Sequence, residues 1–311
     1  MRSAPLDVLA VVGPTAAGKS DLAVELALRL GGEVVNADSM QLYRGMDIGT
    51  AKLAVAERRG VHHHLIDVLD IHETSTVAEF QDRARAAIRD CQVRGVLPVV
   101  VGGSALYVRA VLDRFEFPGT DPVVRRRLEA ELSAVGSVRL HARLAEVDPE
   151  AAARILPSNG RRVVRALEVI DITGRPFTAS LPTHAYAFDQ VCQVGLDVPR
   201  RVLDERIRLR VDRMWDAGIV DEVRRLDAAG LRKGVTASRA LGYAQVLAYL
   251  AGECGENEAK DATVRATRRF ARRQDSWFRR DTRISWLPYD ASGLVERALA
   301  AVSADQPPQQ E

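Results

Sequence analysis

A phosphate-binding loop, GPTAAGKS at residues 13–20, constrains the fold of this chain more than any other feature. It matches the pattern G-x-x-x-x-G-K-[S/T], and it lies between an apolar run at residues 8–12 and a stretch with helical periodicity. Its two glycines let the backbone turn N–H groups inward, and the following helix N-terminus favours an anion. The pattern therefore predicts a strand–loop–helix unit that binds phosphate. The predicted phosphate-binding residues are Gly13, Pro14, Thr15, Ala16, Ala17, Gly18, Lys19 and Ser20.

Two side chains of this loop carry polar chemistry. Lys19 supplies a mobile positive charge, and the Ser20 hydroxyl is a suitable ligand for Mg²⁺. Nucleotide hydrolases with such a loop also need a carboxylate after an apolar strand to support the metal ion. The strand-like segment VVVGGS lacks one, and the nearest candidate is Asp38, after an earlier strand. This pattern favours a small-molecule kinase or transferase over a plain ATPase or GTPase.

Strand-like and helix-like segments alternate over the first hundred residues. This alternation predicts a parallel sheet with helices on both faces, so the expected fold class is α/β, with a P-loop NTPase-like sheet. The predicted elements here are Val8–Val12, Lys19–Leu30, Glu33–Ala37, Val77–Arg94 and Val99–Val101, followed by a Gly-Gly turn and a further helix.

The pattern changes after Phe117, where the turn sequence PGTDP leads into helical segments rich in arginine and alanine. We expect residues 1–117 with 186–302 to form the P-loop core and C-terminal helices, residues 118–185 a helical insertion, and residues 303–311 a disordered tail. The expected helices after Phe117 are Val123–Val135, Ser137–Val147, Glu150–Leu156, Arg161–Thr173, Arg200–Ala217, Ile219–Ala229, Ser238–Leu250 and Glu258–Arg279, with a strand at Gln190–Val198.

The overall composition is typical of a globular protein, with 47% hydrophobic and 28% charged residues. Three cysteines, Cys91, Cys192 and Cys254, are too far apart for a disulfide framework or a zinc ligand set, which favours the reducing cytoplasm. No early segment has the pattern of a signal peptide, and no apolar run reaches the roughly 18 to 20 residues of a membrane helix. We therefore expect a cytoplasmic protein that does not use a membrane.

Three adjacent histidines, His62–His64, raise the hypothesis of a metal site. Adjacent side chains in an extended segment point to alternate sides, so they rarely share one metal ion. No cysteine or carboxylate stands near them at the spacing of a metal motif. We therefore do not expect a metal site there.

Asp38 follows the second predicted strand, at the edge of the sheet where open α/β folds bind ligands. A carboxylate at this place could hold Mg²⁺ or act as a general base. The sequence ADSMQ would equally suit the N-cap of a helix. The residue pattern alone leaves these interpretations open.

An arginine-rich helix is predicted near the C-terminus, where eight arginines and two acids lie between Arg265 and Arg283. On a helical wheel most of these arginines share one arc, while Ala266, Phe270 and Trp277 are expected to pack inward. Such a charge imbalance favours contact with an RNA backbone over a solvated, acid-paired helix. The arginines of this stripe are Arg265, Arg268, Arg269, Arg272, Arg273, Arg279 and Arg280.

Several motifs occur together in a fixed order: GPTAAGKS, NADSMQLYRGMDIGTAK, HHLID, VGGSALY, RRVVRALEV, LGY and RRQDSWFR. In this combination the chain closely resembles the bacterial tRNA dimethylallyltransferases, from Val8 to about Trp286. The resemblance implies transfer of a dimethylallyl group from dimethylallyl diphosphate to N6 of the adenosine on the 3′ side of the tRNA anticodon. The loop would then bind the diphosphate of the donor, with Mg²⁺ as cofactor, and diphosphate would leave.

The resemblance also implies roles for individual residues. Asp38 is the expected general base, Thr15 contacts the donor or the reacting base, Lys19 is catalytic, and Arg206 or Arg210 holds the diphosphate. The chain would be a monomer that binds the tRNA anticodon stem-loop, partly through the insertion. The implied tRNA contacts are Asp38, Ser39, Met40, Gln41, Ser104, Arg125, Arg161, Arg162, Arg165, Arg239, Gly242, Tyr243, Arg272, Arg273, Gln274, Trp277 and Arg279.

Two residues depart from the family pattern: Ser104 replaces the usual threonine, and Arg161 stands where glutamine is common. Arg125 belongs to a cluster that would also suit a solvated helix face, with nearby glutamates as partners. The phosphate loop by itself also suits an ATP-dependent small-molecule kinase, and the arginines by themselves suit a non-catalytic RNA-binding module.

Overall fold

The computed structural model describes residues 6–115, 117–177 and 185–304, and the strands in these ranges form one parallel sheet. Its strands are β1 (Val8–Val12), β2 (Gly32–Asn36), β3 (His63–His64), β4 (Leu97–Gly102), β5 (Val191–Asp197) and β6 (Ile284–Pro288). Their spatial order is β3-β2-β4-β1-β5-β6, so β1 lies between β4 and β5. The central strands are runs of valine, leucine and alanine, as expected where helices cover both faces.

Helices connect and flank the strands in the order expected of an α/β fold. They are α1 (Lys19–Leu30), α2 (Val77–Val93), α3 (Ala105–Leu112), α4 (Pro122–Val147), α5 (Pro149–Arg154), α6 (Gly160–Thr173), α7 (Arg200–Asp216), α8 (Ile219–Ala228), α9 (Tyr243–Leu250), α10 (Glu256–Phe278) and α11 (Leu294–Ala304). None of the helices in the described part of the chain combines the length and the hydropathy that a bilayer crossing requires.

The predicted α/β class is confirmed, and β1 and α1 have the predicted bounds. Three elements have no counterpart among the predicted ones: β3, β6 and α11. β3 is a two-residue edge strand of histidines, and β6 ends in proline, so neither has the long β-branched run that marks the central strands.

Two predicted segments are wrong in detail. A helix over Ser238–Leu250 is interrupted, because Gly242 has a φ of +88° and α9 begins only after it, behind a short 3₁₀ turn. Ser303 and Ala304, which were predicted to belong to the disordered tail, are the last two residues of α11. Residues 305–311 lie outside the described residues.

The chain divides into two compact units, residues 1–112 with 186–311, and residues 113–185. In the first unit, apolar side chains pack on both faces of the sheet, and α1 and α11 cover one of these faces. α2, α3, α8 and α9 cover the other face, around buried Phe80 and Tyr243. The sheet is thereby fixed on both sides, and the loops at its carboxyl edge are supported by rigid elements.

The second unit contains α4, α5 and α6. Leu128, Leu140 and Leu144 of α4 pack against Val163 and Leu167 of α6 in its own apolar core. α4 is broken at Gly136, whose φ of +80° is not helical, in agreement with the two separate helices predicted on either side of it. Asp121 and Asp148 cap helices whose first position is proline, a common arrangement at helix starts.

Candidate active site

The phosphate loop connects the end of β1 to the start of α1. Gly13 and Gly18 have φ values of +133° and +101°, which L side chains rarely adopt. Gly18 directly precedes α1, so the positive end of that helix faces the loop. The sequence motif therefore has the local structure that phosphate binding requires.

Lys19 lies within the loop and is half-buried. Its Nζ donates a hydrogen bond to the Pro14 carbonyl at 2.7 Å. Burial, with a further contribution from the Arg210 guanidinium, lowers the pKa of Lys19 to about 7, although Asp38 opposes this shift. The charge of Lys19 therefore depends on whether an anion is present beside it.

Two arginines of α7, Arg206 and Arg210, donate hydrogen bonds to the loop. Arg210 donates from Nη1 to the Thr15 hydroxyl at 3.0 Å, and burial lowers its pKa. Arg206 donates from Nη1 to the Ala17 carbonyl at 3.2 Å, and its guanidinium stacks on the Tyr289 ring. Both arginines that the resemblance suggested for diphosphate binding therefore contact the loop itself.

Asp38 follows β2 in a tightly bonded turn. Asn36 accepts the Asp38 N–H at 2.9 Å through its side-chain oxygen, and its amide donates to the carbonyls of Asp38 and Leu65. Asp38 Oδ1 accepts the Met40 N–H at 2.9 Å. Residues 39–42 form turns and no helix begins there, so the N-cap interpretation of Asp38 is wrong. Sequence reasoning did not single out Asn36, although its amide fixes the Asp38 backbone.

Two of the cavities beside the phosphate loop adjoin Asp38, with volumes of about 380 and 120 Å³. Both belong to the first unit. The residues that line both are Thr15, Asp38, Thr50, Arg210 and Gln274. The smaller cavity is also lined by Lys19, Ser20 and Gln41, and the larger by Ser39, Met40, Ser104, Arg239, Phe270 and Arg273. A ligand with an anionic end and an apolar or aromatic end would therefore find cations in one cavity and mixed surface in the other.

Gln274 joins α10 to the phosphate loop. Its Oε1 accepts the Thr15 N–H at 2.9 Å, and its side chain is buried. It packs so closely on Gly103 that a Cβ there would lie 2.6 Å from Nε2. The resemblance implied an RNA contact for Gln274, but in this structure its carbonyl oxygen holds the loop.

The arginines of α10 differ in their surroundings. Arg265, Arg269, Arg272 and Arg273 are exposed, as the predicted stripe requires. Arg268 instead donates to the Asp204 carbonyl at 3.1 Å, and so ties α10 to α7.

The end of the stripe is arranged differently from its middle. Arg279 pairs with Asp197 and Asp275 and stacks on the Trp286 ring. The expectation that Trp277 packs inward is wrong, because half of its surface is exposed and α10 ends one residue later. Trp277 can therefore present its ring to a ligand.

Arginines of the second unit fall into two groups. Arg161 and Arg162 are exposed at the start of α6. Arg125 and Arg165 both bind the fully buried carboxylate of Glu168. Burial alone would raise the pKa of Glu168, but the hydrogen bonds from the two arginines outweigh it and leave the pKa lowered.

Arg165 has a further structural role, since its guanidinium also donates to the carbonyls of Pro118 and Gly119. Its side chain therefore fixes the segment that leads into the unit. The resemblance implied tRNA contacts at Arg125 and Arg165, but in this structure both side chains already bind Glu168 within the protein.

Tyr243 is also engaged internally. It is fully buried, and its hydroxyl donates to the carboxylate of Glu222 at 2.6 Å. An RNA contact through its ring is therefore incompatible with this structure, and Gly242 serves to turn the backbone before α9. Sequence reasoning did not identify Glu222, because its partners are 21 and about 174 positions away.

The histidine segment has partners that its local sequence did not reveal. Donor atoms of His64, Glu33 and Cys91 lie within 4.8 Å of one another. Arg94, however, binds both oxygens of Glu33 at 2.7 Å, and its hydrogen bonds lower the pKa of Glu33 to about 2. Burial raises the pKa of the Cys91 thiol to about 11, so Cys91 is not a thiolate at neutral pH. Glu33 and Cys91 are 31 and 27 positions from His64 in the sequence, so motif spacing did not reveal them, and the charge of Glu33 is already matched by arginine.

The chain matches the family model for IPP transferase over residues 41–281. The tRNA dimethylallyltransferase of Thermobifida fusca is 67% identical over 300 residues, covering 95% of this chain and 94% of that protein. The Streptomyces coelicolor tRNA dimethylallyltransferase is 66% identical over 304 residues, covering 94% of this chain and 97% of that protein.

Two solved structures are also similar. The full-length tRNA isopentenylpyrophosphate transferase of Bacillus halodurans has a TM-score of 0.70 and 41% identity, covering 96% of this chain and 97% of its own. A eukaryotic dimethylallyltransferase, solved acting on tRNA, has a TM-score of 0.83 and 26% identity, covering 98% and 81%. This chain therefore belongs to the IPP transferase family, a family of prenyl transferases that modify tRNA.

Proposed function

We propose that this chain transfers a dimethylallyl group from dimethylallyl diphosphate to N6 of the adenosine that follows the tRNA anticodon, and releases diphosphate. The observation that carries the proposal is the shared lining of the two cavities. Thr15, Asp38 and Arg210 border both the cationic phosphate loop and the larger cavity beside it. A donor diphosphate and an acceptor base could therefore meet at Asp38.

The leaving group is the part of the reaction that the phosphate loop serves. As the allylic C–O bond breaks, negative charge grows on the departing diphosphate oxygen. Backbone N–H groups of the loop, Lys19 and Arg210 stabilise that charge, and they are already in place before the reaction. We therefore propose that Lys19, Arg206 and Arg210 bind the diphosphate, as the family resemblance implied.

Ser20 is the proposed ligand of Mg²⁺. Its hydroxyl follows Lys19 at the start of α1 and faces the same small cavity, and a neutral oxygen donor beside a diphosphate suits a cation that keeps most of its waters. When bound, Mg²⁺ would neutralise charge on the diphosphate.

Asp38 is the proposed general base. The adenine amine is a weak nucleophile because its lone pair is delocalised into the ring. As N6 forms a bond to the allylic carbon, one N–H proton must leave, and a carboxylate within hydrogen-bond reach can accept it. Asn36 holds the backbone of Asp38 and thereby keeps that carboxylate at the edge of both cavities.

The tRNA is proposed to contact this unit through the exposed arginines of α10. Arg272 and Arg273 lie on the same helix as Gln274, and Arg273 lines the larger cavity. Guanidinium groups along one face would bind successive backbone phosphates of the anticodon stem-loop. We further propose that the exposed Arg161 and Arg162 serve the same tRNA, and that the chain acts as a monomer in the cytoplasm.

The decisive experiment determines which group is transferred. The protein is incubated with Mg²⁺, a tRNA carrying adenosine after the anticodon, and either dimethylallyl diphosphate or ATP, and the RNA is weighed by mass spectrometry. Gain of one C5H8 unit with the prenyl donor supports the proposal. Phosphate transfer or hydrolysis with ATP would instead identify a kinase, and RNA binding without product would identify a binding module. A tRNA with guanosine at the acceptor position is the matched control and should remain unchanged.

A further inference from the structure

One buried carboxylate collects hydrogen bonds from a loop of the site and from a helix behind it. Glu222 of α8 is only 3% exposed. Its Oε2 accepts the backbone N–H groups of Asp47 and Ile48, at 3.1 and 2.9 Å. Its Oε1 accepts the Gly49 N–H at 3.3 Å and the Tyr243 hydroxyl at 2.6 Å. Four donors therefore converge on a single side chain.

Consecutive backbone N–H groups that point to one place form an anion-binding concavity, and here the anion is supplied by the protein. A buried carboxylate is costly unless its oxygens accept hydrogen bonds, so the loop conformation and the placement of Glu222 depend on each other. Burial, with a further contribution from the Glu222 carboxylate, raises the pKa of Tyr243, so its phenol remains a donor.

The Tyr243 ring completes the contact by packing on the loop. A Cβ at Gly49 would overlap this ring, so only glycine fits at the position. Gly49 and Thr50 line the larger cavity together with Asp38, and the Thr50 carbonyl accepts a hydrogen bond from Gln41. The loop held by Glu222 is therefore a wall of the cavity in which Asp38 lies.

We propose that Glu222 and Tyr243 are positioning residues for prenyl transfer, which fix residues 47–50 as the wall that orients the acceptor base toward Asp38 and the donor. The inference rests on the proposed function. It assigns Tyr243 an internal role in place of the tRNA contact implied by resemblance. Neither residue is among those that line the two cavities, so both act through the loop.

The test uses full-length protein with Glu222→Gln or Tyr243→Phe, and Tyr249→Phe as a control on the same helix. Tyr243→Phe keeps the ring on Gly49 but removes one donor from Oε1. Backbone amide exchange should therefore quicken most at Gly49, which shares that oxygen, and less at Asp47 and Ile48. Glu222→Gln removes the charge and should quicken exchange at all three amides.

The catalytic readout separates positioning from general stability. For Glu222→Gln, the maximal rate should fall by about 10- to 100-fold, as expected when reacting groups shift by about 1 Å, while the affinity for donor stays unchanged. Tyr243→Phe should give a smaller loss in the same direction, and Tyr249→Phe none. If Glu222→Gln does not fold, Tyr243→Phe decides alone.

The outcomes that would overturn the inference are distinct from failure of the proposed function. Unchanged exchange at residues 47–49 in the folded variants would show that the carboxylate does not hold the loop. A rate loss that appears only as a raised Michaelis constant for tRNA would place Tyr243 in RNA binding instead. If the unmodified protein makes no prenylated tRNA, the proposed function fails, but the exchange measurement still tests the contact.

Discussion

The binding of a diphosphate to the phosphate loop should be accompanied by uptake of a proton at Lys19. Replacing Lys19 with methionine should abolish this uptake. Burial and the Arg210 guanidinium lower the pKa of Lys19 to about 7 in the empty loop. A bound diphosphate places negative charge beside Nζ and favours the ammonium form, so its pKa rises again. Methionine keeps the length of the side chain but cannot bind a proton.

The magnitude follows from this pKa. At pH 8, one unit above the pKa, about 90% of the empty protein carries neutral Lys19, so binding should take up about 0.9 proton at this residue. At pH 6 the uptake should be about 0.1 proton. The affinity for the donor should therefore weaken as the pH rises above about 7, by at most about tenfold per pH unit. The weakening should stop when the pH reaches the pKa of Lys19 in the complex.

Calorimetric titration with dimethylallyl diphosphate, in two buffers of different ionisation enthalpy, measures the protons taken up. The donor's own phosphate also titrates, so the quantity of interest is the uptake by the natural protein minus that by Lys19→Met. A difference near 0.9 at pH 8 that shrinks at pH 6 supports the reasoning. Equal uptake by both proteins at pH 8 would refute it, since Lys19 would then already be charged before binding.

Three further predictions concern other residues. Asp38→Asn should slow single-turnover transfer by about 10²- to 10⁴-fold at saturating substrates, as for loss of a general base; recovery at high Mg²⁺ would make Asp38 a metal ligand instead. Removing Arg269 and Arg273 together should reduce the slope of log affinity for tRNA against log salt by about 0.7 to 0.9 for each phosphate contact, and an unchanged slope would place the RNA elsewhere. Glu168→Gln should destabilise the protein by about 3 kcal/mol in chemical unfolding, because two arginines lose a buried partner; an unchanged midpoint would contradict a structural role for this ion pair.

The fold was predictable because its signals are local. β1 and α1 flank a loop whose glycines need positive φ, and the alternation of apolar strands with amphipathic helices follows from side-chain periodicity. β3 and β6 lie at the two edges of the sheet, where burial is partial and the apolar pattern is weak. Helix α9 begins only at Tyr243 because Gly242 has a non-helical backbone with positive φ. Glycine can adopt this conformation, but its presence in a sequence does not require it.

The phosphate loop could be predicted because one motif contains all its residues, and the position of Asp38 beside it followed from the end of a predicted strand. The sequence did not predict the hydrogen bonds that join side chains to partners far away along the chain. Gln274, Glu222 and Arg165 could each be interpreted from local pattern as surface or RNA-binding residues, yet each makes hydrogen bonds inside the protein. These partners lie 21 to 259 positions away in the sequence, farther than a local pattern spans.

The hydrogen bond from Thr15 to Gln274 limits how far the phosphate loop can be regarded as a self-sufficient module. A fragment ending before α10 would keep all eight residues of the motif but lose the side-chain acceptor of the Thr15 N–H. Grafting the motif onto another α/β scaffold would meet the same deficit unless an equivalent amide oxygen were supplied. The loop of this enzyme therefore acquires all its hydrogen bonds only after α10, in the last third of the chain, has folded against it. A nascent chain released before α10 is made would contain the motif but not the complete phosphate-binding site.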